Sequence, residues 1–338
     1  MNSLRNPIRT PRRVPKRQSL LPWSLALLLS GMVVAPATAQ PYPSRPIRLI
    51  VAFAPGGSVD LVSRLVAQKL GESLGQQIVI DNRPGAGGNV SAEIAARATA
   101  DGYTLYICSA SLVINVSLHR NLPYDPVQDF APVTLLAATQ NVLATTLELP
   151  VKSVPELIAF ARKQPGKINY GSTGAGTSGH LTMEMFRSKA GIELTHIPYK
   201  VIGQTYADLF AGRVSLFFPT LPGALPHFQA GKMRLLAVSG AKRSPALPDI
   251  PTVAEAALPG FEASTWYPIL APAGTPKAAV NALNRNLVAA LNTPEISKRL
   301  ESMGVEPVGS TPAQLAAHIK AELPKWAEVV RISGIRAD

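Results

Sequence analysis

The chain has 338 residues, 46% of them hydrophobic, one cysteine and a formal charge of +12. That length suits two domains, and a single thiol excludes an internal disulfide even in an oxidising compartment. Six cations (Arg5, Arg9, Arg12, Arg13, Lys16, Arg17) crowd the first 39 residues; removing them leaves about +6, scattered rather than clustered, which argues against nucleic acid as a partner and mildly favours anionic ligands.

In chain order, the basic head is followed by an apolar run from Leu20 to Ala35 that ends in Ala37-Thr38-Ala39. This pattern predicts a secretory signal peptide over residues 1–39, cleaved after Ala39, and a periplasmic location. Pro22, Trp23, Ser24, Ser30, Gly31 and Pro36 interrupt the run, which argues against a membrane anchor of roughly 20 apolar residues. Arg12-Arg13 suggests a twin-arginine signal, but Pro15 stands where such signals carry an apolar residue, so the export route stays open.

Beyond the leader, strand and helix alternate. Ile47–Phe53 reads as a buried strand, Ala54-Pro55-Gly56-Gly57 as a break, and Ser58 as the cap of a helix carrying Val62, Leu65, Val66 and Leu70. Gln77–Ile80 is the next strand, Pro84–Gly88 a loop, and Asn89 the cap of a helix carrying Ile94 and Ala98; Asp101-Gly102 turns into the strand Tyr103–Cys108. Cys108 reads as a buried strand residue.

The second half repeats the alternation. Ser153-Val154-Pro155-Glu156 is a capping box that opens a helix through Ala161. Strand Ile168–Tyr170, a Gly/Ser/Thr loop, a helix through Phe186, strand Leu194–Ile197, helix Thr205–Ala211 and strands Ser215–Phe218 and Leu235–Val238 follow. Ala278–Leu291 and Gln314–Val330 are amphipathic helices, the latter with Thr311-Pro312 at N-cap and N1. Such alternation predicts an α/β fold with mainly parallel sheets. Val133–Ala138, running on to Ala144, and Ser264–Leu270 read as two crossings between lobes. They divide the chain into a discontinuous lobe, 40–138 with 267–338, and a second lobe, 139–266.

Three loops lie after strands and before helices, where open α/β sheets bind ligands. The first, Ala54-Pro55-Gly56-Gly57 with Asp60 beyond, offers glycines and the free N–H groups of a helix start. The second runs from Gly171 to His180 and is entered through Tyr170. It holds Ser172, Thr173, Gly176, Thr177 and Ser178, neutral donors suited to a carboxylate or phosphate. His180 reads as a first-turn helix residue. The third is Ser109-Ala110-Ser111, with Asn115 beyond.

Gly174-Ala175-Gly176-Thr177-Ser178-Gly179 also spells G-x-G-x-x-G, with Glu193 about 20 residues on, so a dinucleotide-dependent enzyme is the alternative. Against it, Glu193 precedes its strand, whereas a ribose-binding acid belongs at a strand's C-terminal end. No Gly-Lys-Ser/Thr and no G-x-S-x-G occurs in these loops. The histidines at 119, 180, 196, 227 and 318 show no ligand spacing. The expectation is no metal, no cofactor and no catalysis.

Tyr42-Pro43-Ser44-Arg45-Pro46-Ile47, Phe53–Asp60, Asp81–Asn89, Asp101–Leu105, Leu122–Pro126, Tyr170-Gly171-Ser172, His180-Leu181, Ile197–Lys200 and Ala271–Pro276 together resemble the Bug family. These are the periplasmic receptors of tripartite tricarboxylate transporters, and the resemblance spans Pro41 to the C-terminus. It implies a type II periplasmic binding protein fold, two α/β lobes joined by a hinge, and capture of a small carboxylate by loops from both lobes. It points to Ala54, Gly56, Gly57 and Asp60 on one lobe and to Ser172, Thr177 and Ser178 on the other. The expected partners are separate membrane transporter subunits and, as a further candidate, a sensor kinase, and the chain is expected to be a monomer. The family often has Lys-Gly-Gly where this chain has Lys200-Val201-Ile202-Gly203, and an Asp near Thr220. With Thr220 as a candidate contact in place of the acid, amine-bearing ligands are expected to be disfavoured.

Overall fold

Aliphatic runs buried on both faces build two sheets, and the computed structural model describes the chain over residues 42–335. The expected export signal and its cleavage point after Ala39 lie outside the described residues. The first sheet holds β1 (Ile47–Val51), β2 (Ile78–Asn82), β3 (Thr104–Ile107), β4 (Phe130–Gln140), β10 (Ser264–Pro272) and β11 (Val305–Pro307), in the order β11-β4-β10-β3-β1-β2. The second holds β5 (Val142–Thr145), β6 (Asn169–Ser172), β7 (Thr195–Pro198), β8 (Leu216–Phe217) and β9 (Arg234–Val238), in the order β7-β6-β8-β5-β9.

The helices are α1 (Ser58–Leu74), α2 (Asn89–Ala96), α3 (Ser111–Leu118), α4 (Val154–Arg162), α5 (Ser178–Ala190), α6 (Ile202–Phe210), α7 (Leu221–Gln229), α8 (Val253–Ala256), α9 (Lys277–Leu291), α10 (Pro294–Ser302) and α11 (Pro312–Ser333). Alternation along β1 explains its burial: Leu49 and Val51 pack with Val62, Val66 and Leu70 of α1, while Ile50 packs with Ala92 and Ala95 of α2. Among the described residues no helix is long and apolar enough to cross a membrane.

The α/β architecture on two sheets is as expected, but the sheets are mixed rather than mainly parallel. β1 pairs in parallel with β2 and β3, and β6 with β7 and β8. β10 runs antiparallel to β3 and β4, and β5 antiparallel to β8 and β9. The reason is topological: β4 leaves the first sheet for the second, and β10, returning, lies back along it. The expected boundaries at 138/139 and 266/267 fall inside these two strands.

Between β4 and β5 sits buried Asn141, whose N–H donates to Ser239 Oγ at 2.9 Å; Ser239 Oγ in turn donates to the carbonyl of Ala263, just before β10. The last helix spans both halves of the fold. It packs on α3 and α5, its Glu322 accepts from Trp266 and Trp326, and Arg187 of α5 donates to the Ser333 carbonyl. Cys108, directly after β3, is fully buried and free, and burial pushes its thiol pKa up.

Two helix starts differ from the sequence expectation in a way that matters. The N-caps of α1 and α2 are Gly57 and Gly88, not Ser58 and Asn89, and neither start has a side-chain cap. By contrast Ser153 accepts from the Glu156 N–H, and Thr311 and Gln314 form a reciprocal capping box.

Candidate functional site

The loop after β1 turns at Gly56, whose φ of +82° suits a residue without Cβ. The Gly56 N–H donates to Asp60 Oδ2 at 2.9 Å, and Asp60 also accepts from Arg64 Nε and Asn82 Nδ2. Burial raises the Asp60 carboxyl, but these three donors outweigh it and hold the group below its ordinary value. Asp60 is therefore an ionised brace behind the loop. With its lone pairs spent there, α1 opens with no side-chain cap, and the N–H groups of Ser58, Val59 and Asp60 meet no acceptor among the described residues.

The loop after β6 is built the same way on the other sheet. Ser172 Oγ lies 2.7 Å from His196 Nε2 and accepts from the Gly174 N–H; Thr177 Oγ1 donates to the Gly174 carbonyl at 2.9 Å. Behind it, the rings of Tyr170, His196 and His180 stack, with centroids 4.8 and 4.3 Å apart, and the Tyr170 hydroxyl donates to Glu184. His180 is held neutral: burial, then the neighbouring His196 and Arg187, bring its pKa down to about 3. Its Nδ1 accepts from the Gly176 N–H. The N–H groups of Ser178, Gly179 and His180, the first turn of α5, again meet no acceptor among the described residues.

These two helix starts open onto one cleft of about 640 Å³. Of the candidates read from sequence, Ala54, Gly57, Ser109, Thr173, Thr177, Ser178 and Thr220 line it. Pro55 and Gly56 are exposed and off the lining, while the buried Asp60, Ser111, Tyr170, Ser172 and Gly176 stand behind it. Asp60, Tyr170 and Ser172 are engaged as above, Ser111 accepts from Ser109 Oγ, and Gly176 abuts Asn115 of α3.

Several lining residues escaped the sequence reading. The Pro84–Gly88 loop forms a wall, and it touches the opposite loop: a Cβ on Gly87 would lie 2.7 Å from the Ala175 carbonyl. Its run of glycines was the available signal. Tyr199–Ile202, Phe217–Pro219 and Tyr267 also line the cleft, with Phe53, Ser58, Val59, His119, Gly174, Ala175 and Gly179. No Asp or Glu lines the cleft among the described residues, and Glu193 stands ahead of β7, off the lining. The G-x-G-x-x-G spelling thus has no ribose-binding acid at hand.

Residues 62–335 match the profile of the tripartite tricarboxylate transporter family receptor. Protein BugT of Bordetella pertussis is 37% identical over 306 residues, 90% of this chain and 94% of that protein. Among solved structures, R. palustris Rpa4515 with adipate superposes with a TM-score of 0.85 at 40% identity, over 87% of this chain and 99% of that one. MatC from Rhodopseudomonas palustris with bound malate superposes with a TM-score of 0.81 at 31% identity, over 86% of this chain and 100% of that one.

Proposed function

The chain belongs to the tripartite tricarboxylate transporter receptor family, a family of solute-binding receptors rather than enzymes, and from that premise we propose that it captures a small carboxylate in the periplasm for a membrane transporter. The observation that carries this reading is the pair of uncapped helix starts, α1 and α5, on different sheets and open to one cleft free of lining acids. Main-chain N–H groups at a helix start, reinforced by the helix dipole, suit an oxyanion without needing a cation. The adipate and malate held by two similar structures support the same class of ligand.

In this reading residues 40–138 with 267–338 form one lobe and 139–266 the other, hinged at Asn141 and Ala263. Ala54, Gly57, Ser109, Thr173, Thr177, Ser178 and Thr220 touch the ligand, while Asp60, Ser172 and the Tyr170–His196–His180 stack hold the loops that present them. A signal peptide directs export and is cleaved after Ala39. The mature chain acts as a monomer, handing its ligand to separate membrane subunits and offering its closed form to a sensor kinase. Mass spectrometry of the chain purified from the periplasm, native and then denatured, tests the core of this. Release of a carboxylic acid in near-stoichiometric amount is expected; release of a nucleotide, or hydrolysis of a carboxylate ester by the chain, would overturn it.

A further inference from the structure

Tyr267 stands on β10, the strand by which the chain returns from the second sheet to the first, and it lines the cleft. Its side chain is fully buried, at 0% exposure, and its hydroxyl has no hydrogen-bond partner among the described residues. Ser58, the first residue of α1, and Thr220, the N-cap of α7, flank that oxygen without closing a bond to it. Buried hydroxyls in folded proteins are almost always paired, and an unpaired one is destabilising. Tyr267 is at the same time part of the lining of the cleft onto which the two uncapped helix starts open.

The rest of the lining limits what can fill the space. Phe53, Phe217 and Phe218 form apolar walls, and Val201, 47% exposed, and Ile202 continue them to the rim beside Lys200. The nearby acids face away and are spent: Asp60 on Arg64, Glu184 on Arg187 and Asp208 on Arg213. An ammonium group brought into the cleft would lose its water and gain no carboxylate. The hydroxyl residues Ser58, Thr177, Ser178 and Thr220 of the lining stand at helix starts, where a carboxylate is held, and leave the hydrocarbon of Phe53, Val201 and Ile202 for the ligand's body.

We infer that the cleft takes a carboxylic acid with an apolar body and no ammonium group, and that Tyr267 is a ligand-binding residue whose hydroxyl donates to that acid. This rests on the receptor reading above and narrows it. Burial raises the phenol's pKa, so the group stays protonated and is a donor at neutral pH.

The test is calorimetry on the full mature chain, native and Tyr267→Phe, with four probes: adipate and benzoate, whose bodies are apolar, and malate and aspartate, which carry a hydroxyl and an ammonium. Adipate or benzoate should bind at least about tenfold tighter than malate or aspartate. Tyr267→Phe should weaken that acid by about ten- to a hundredfold, the range of a hydrogen bond to a charged acceptor. Its ligand-free melting temperature should hold or rise, because the unpaired hydroxyl has gone. Native affinity in Tyr267→Phe, or a lowered melting temperature without loss of affinity, overturns the role of Tyr267. Aspartate or malate as the tightest probe overturns the ligand class. A native chain that binds none of the four and releases no acid on denaturation overturns the receptor reading itself.

Discussion

The hydroxyl of Ser239 accepts the amide of Asn141 at 2.9 Å, and through the same oxygen it donates to Ala263, so one side chain ties the outgoing and returning connections between the sheets. Ser239→Ala leaves the buried Asn141 N–H without that acceptor and the Ala263 carbonyl without that donor. The expected cost is about 1–3 kcal/mol of unfolding free energy. Urea unfolding should show a lower midpoint at an unchanged m-value; an unchanged midpoint would mean the flanking backbone bonds suffice.

Gly176 has φ +77°, and a Cβ there would run into Asn115 Oδ1. Asn115 cannot swing away freely, because its Nδ2 is tied to Asn89 Oδ1 and the Gly87 carbonyl. Gly176→Ala therefore strains the second loop and presses it away from α3, by a left-handed backbone cost of about 1 kcal/mol plus the clash. Ligand affinity should fall by more than about tenfold in calorimetry. Equal affinity in the two chains would show that the loops need not approach this closely to hold the ligand.

Glu322 gathers the indole N–H groups of Trp266 at 3.0 Å and Trp326 at 2.8 Å and sits beside Lys325. Glu322→Leu orphans two buried donors and should destabilise the chain by about 2–4 kcal/mol; Glu322→Gln, which keeps an acceptor, should cost roughly 1 kcal/mol. Guanidinium unfolding distinguishes them, and equal losses for the two variants would discount the hydrogen bonds in favour of packing.

His180 predicts a dependence on pH. Its folded pKa is about 3, whereas an unfolded histidine titrates near ~6.5, so between these values the unfolded chain binds the extra proton. The contribution is intact above about pH 6.5 and is lost as the pH falls toward 3, at up to about 1.4 kcal/mol per pH unit. Between pH 7 and 5 His180 should account for about 2 kcal/mol of lost stability. His196, also depressed chiefly by burial, adds to the slope in the same direction. His180→Gln cannot take up that proton, so its unfolding free energy should vary less over this interval; a slope equal to the native one would place the histidine's charge elsewhere.

Long amphipathic segments and capping signals made α1, α4, α5, α9 and α11 legible in the sequence, and the glycine clusters marked two of the loops that meet at the cleft. The strand directions were not legible, because nothing local in Ser264–Leu270 records that it returns alongside β4. α7 was hidden by Pro222 and Pro226, which read as breaks although the first falls in an initial turn that needs no N–H there. α3 was hidden because Leu112, Val113 and Ile114 are all buried, leaving no polar face to mark a helical period. Tyr267 read only as part of a crossing; its place between Ser58 and Thr220 is set by residues far away in sequence.

The sealed position of Cys108 has a practical corollary. With the chain's sole thiol at 0% exposure and its pKa raised by burial, maleimide reagents should leave the native protein untouched. A cysteine placed at the exposed rim, as in Val201→Cys, would then take a fluorophore alone, and its emission would report each encounter between the rim and a passing solute.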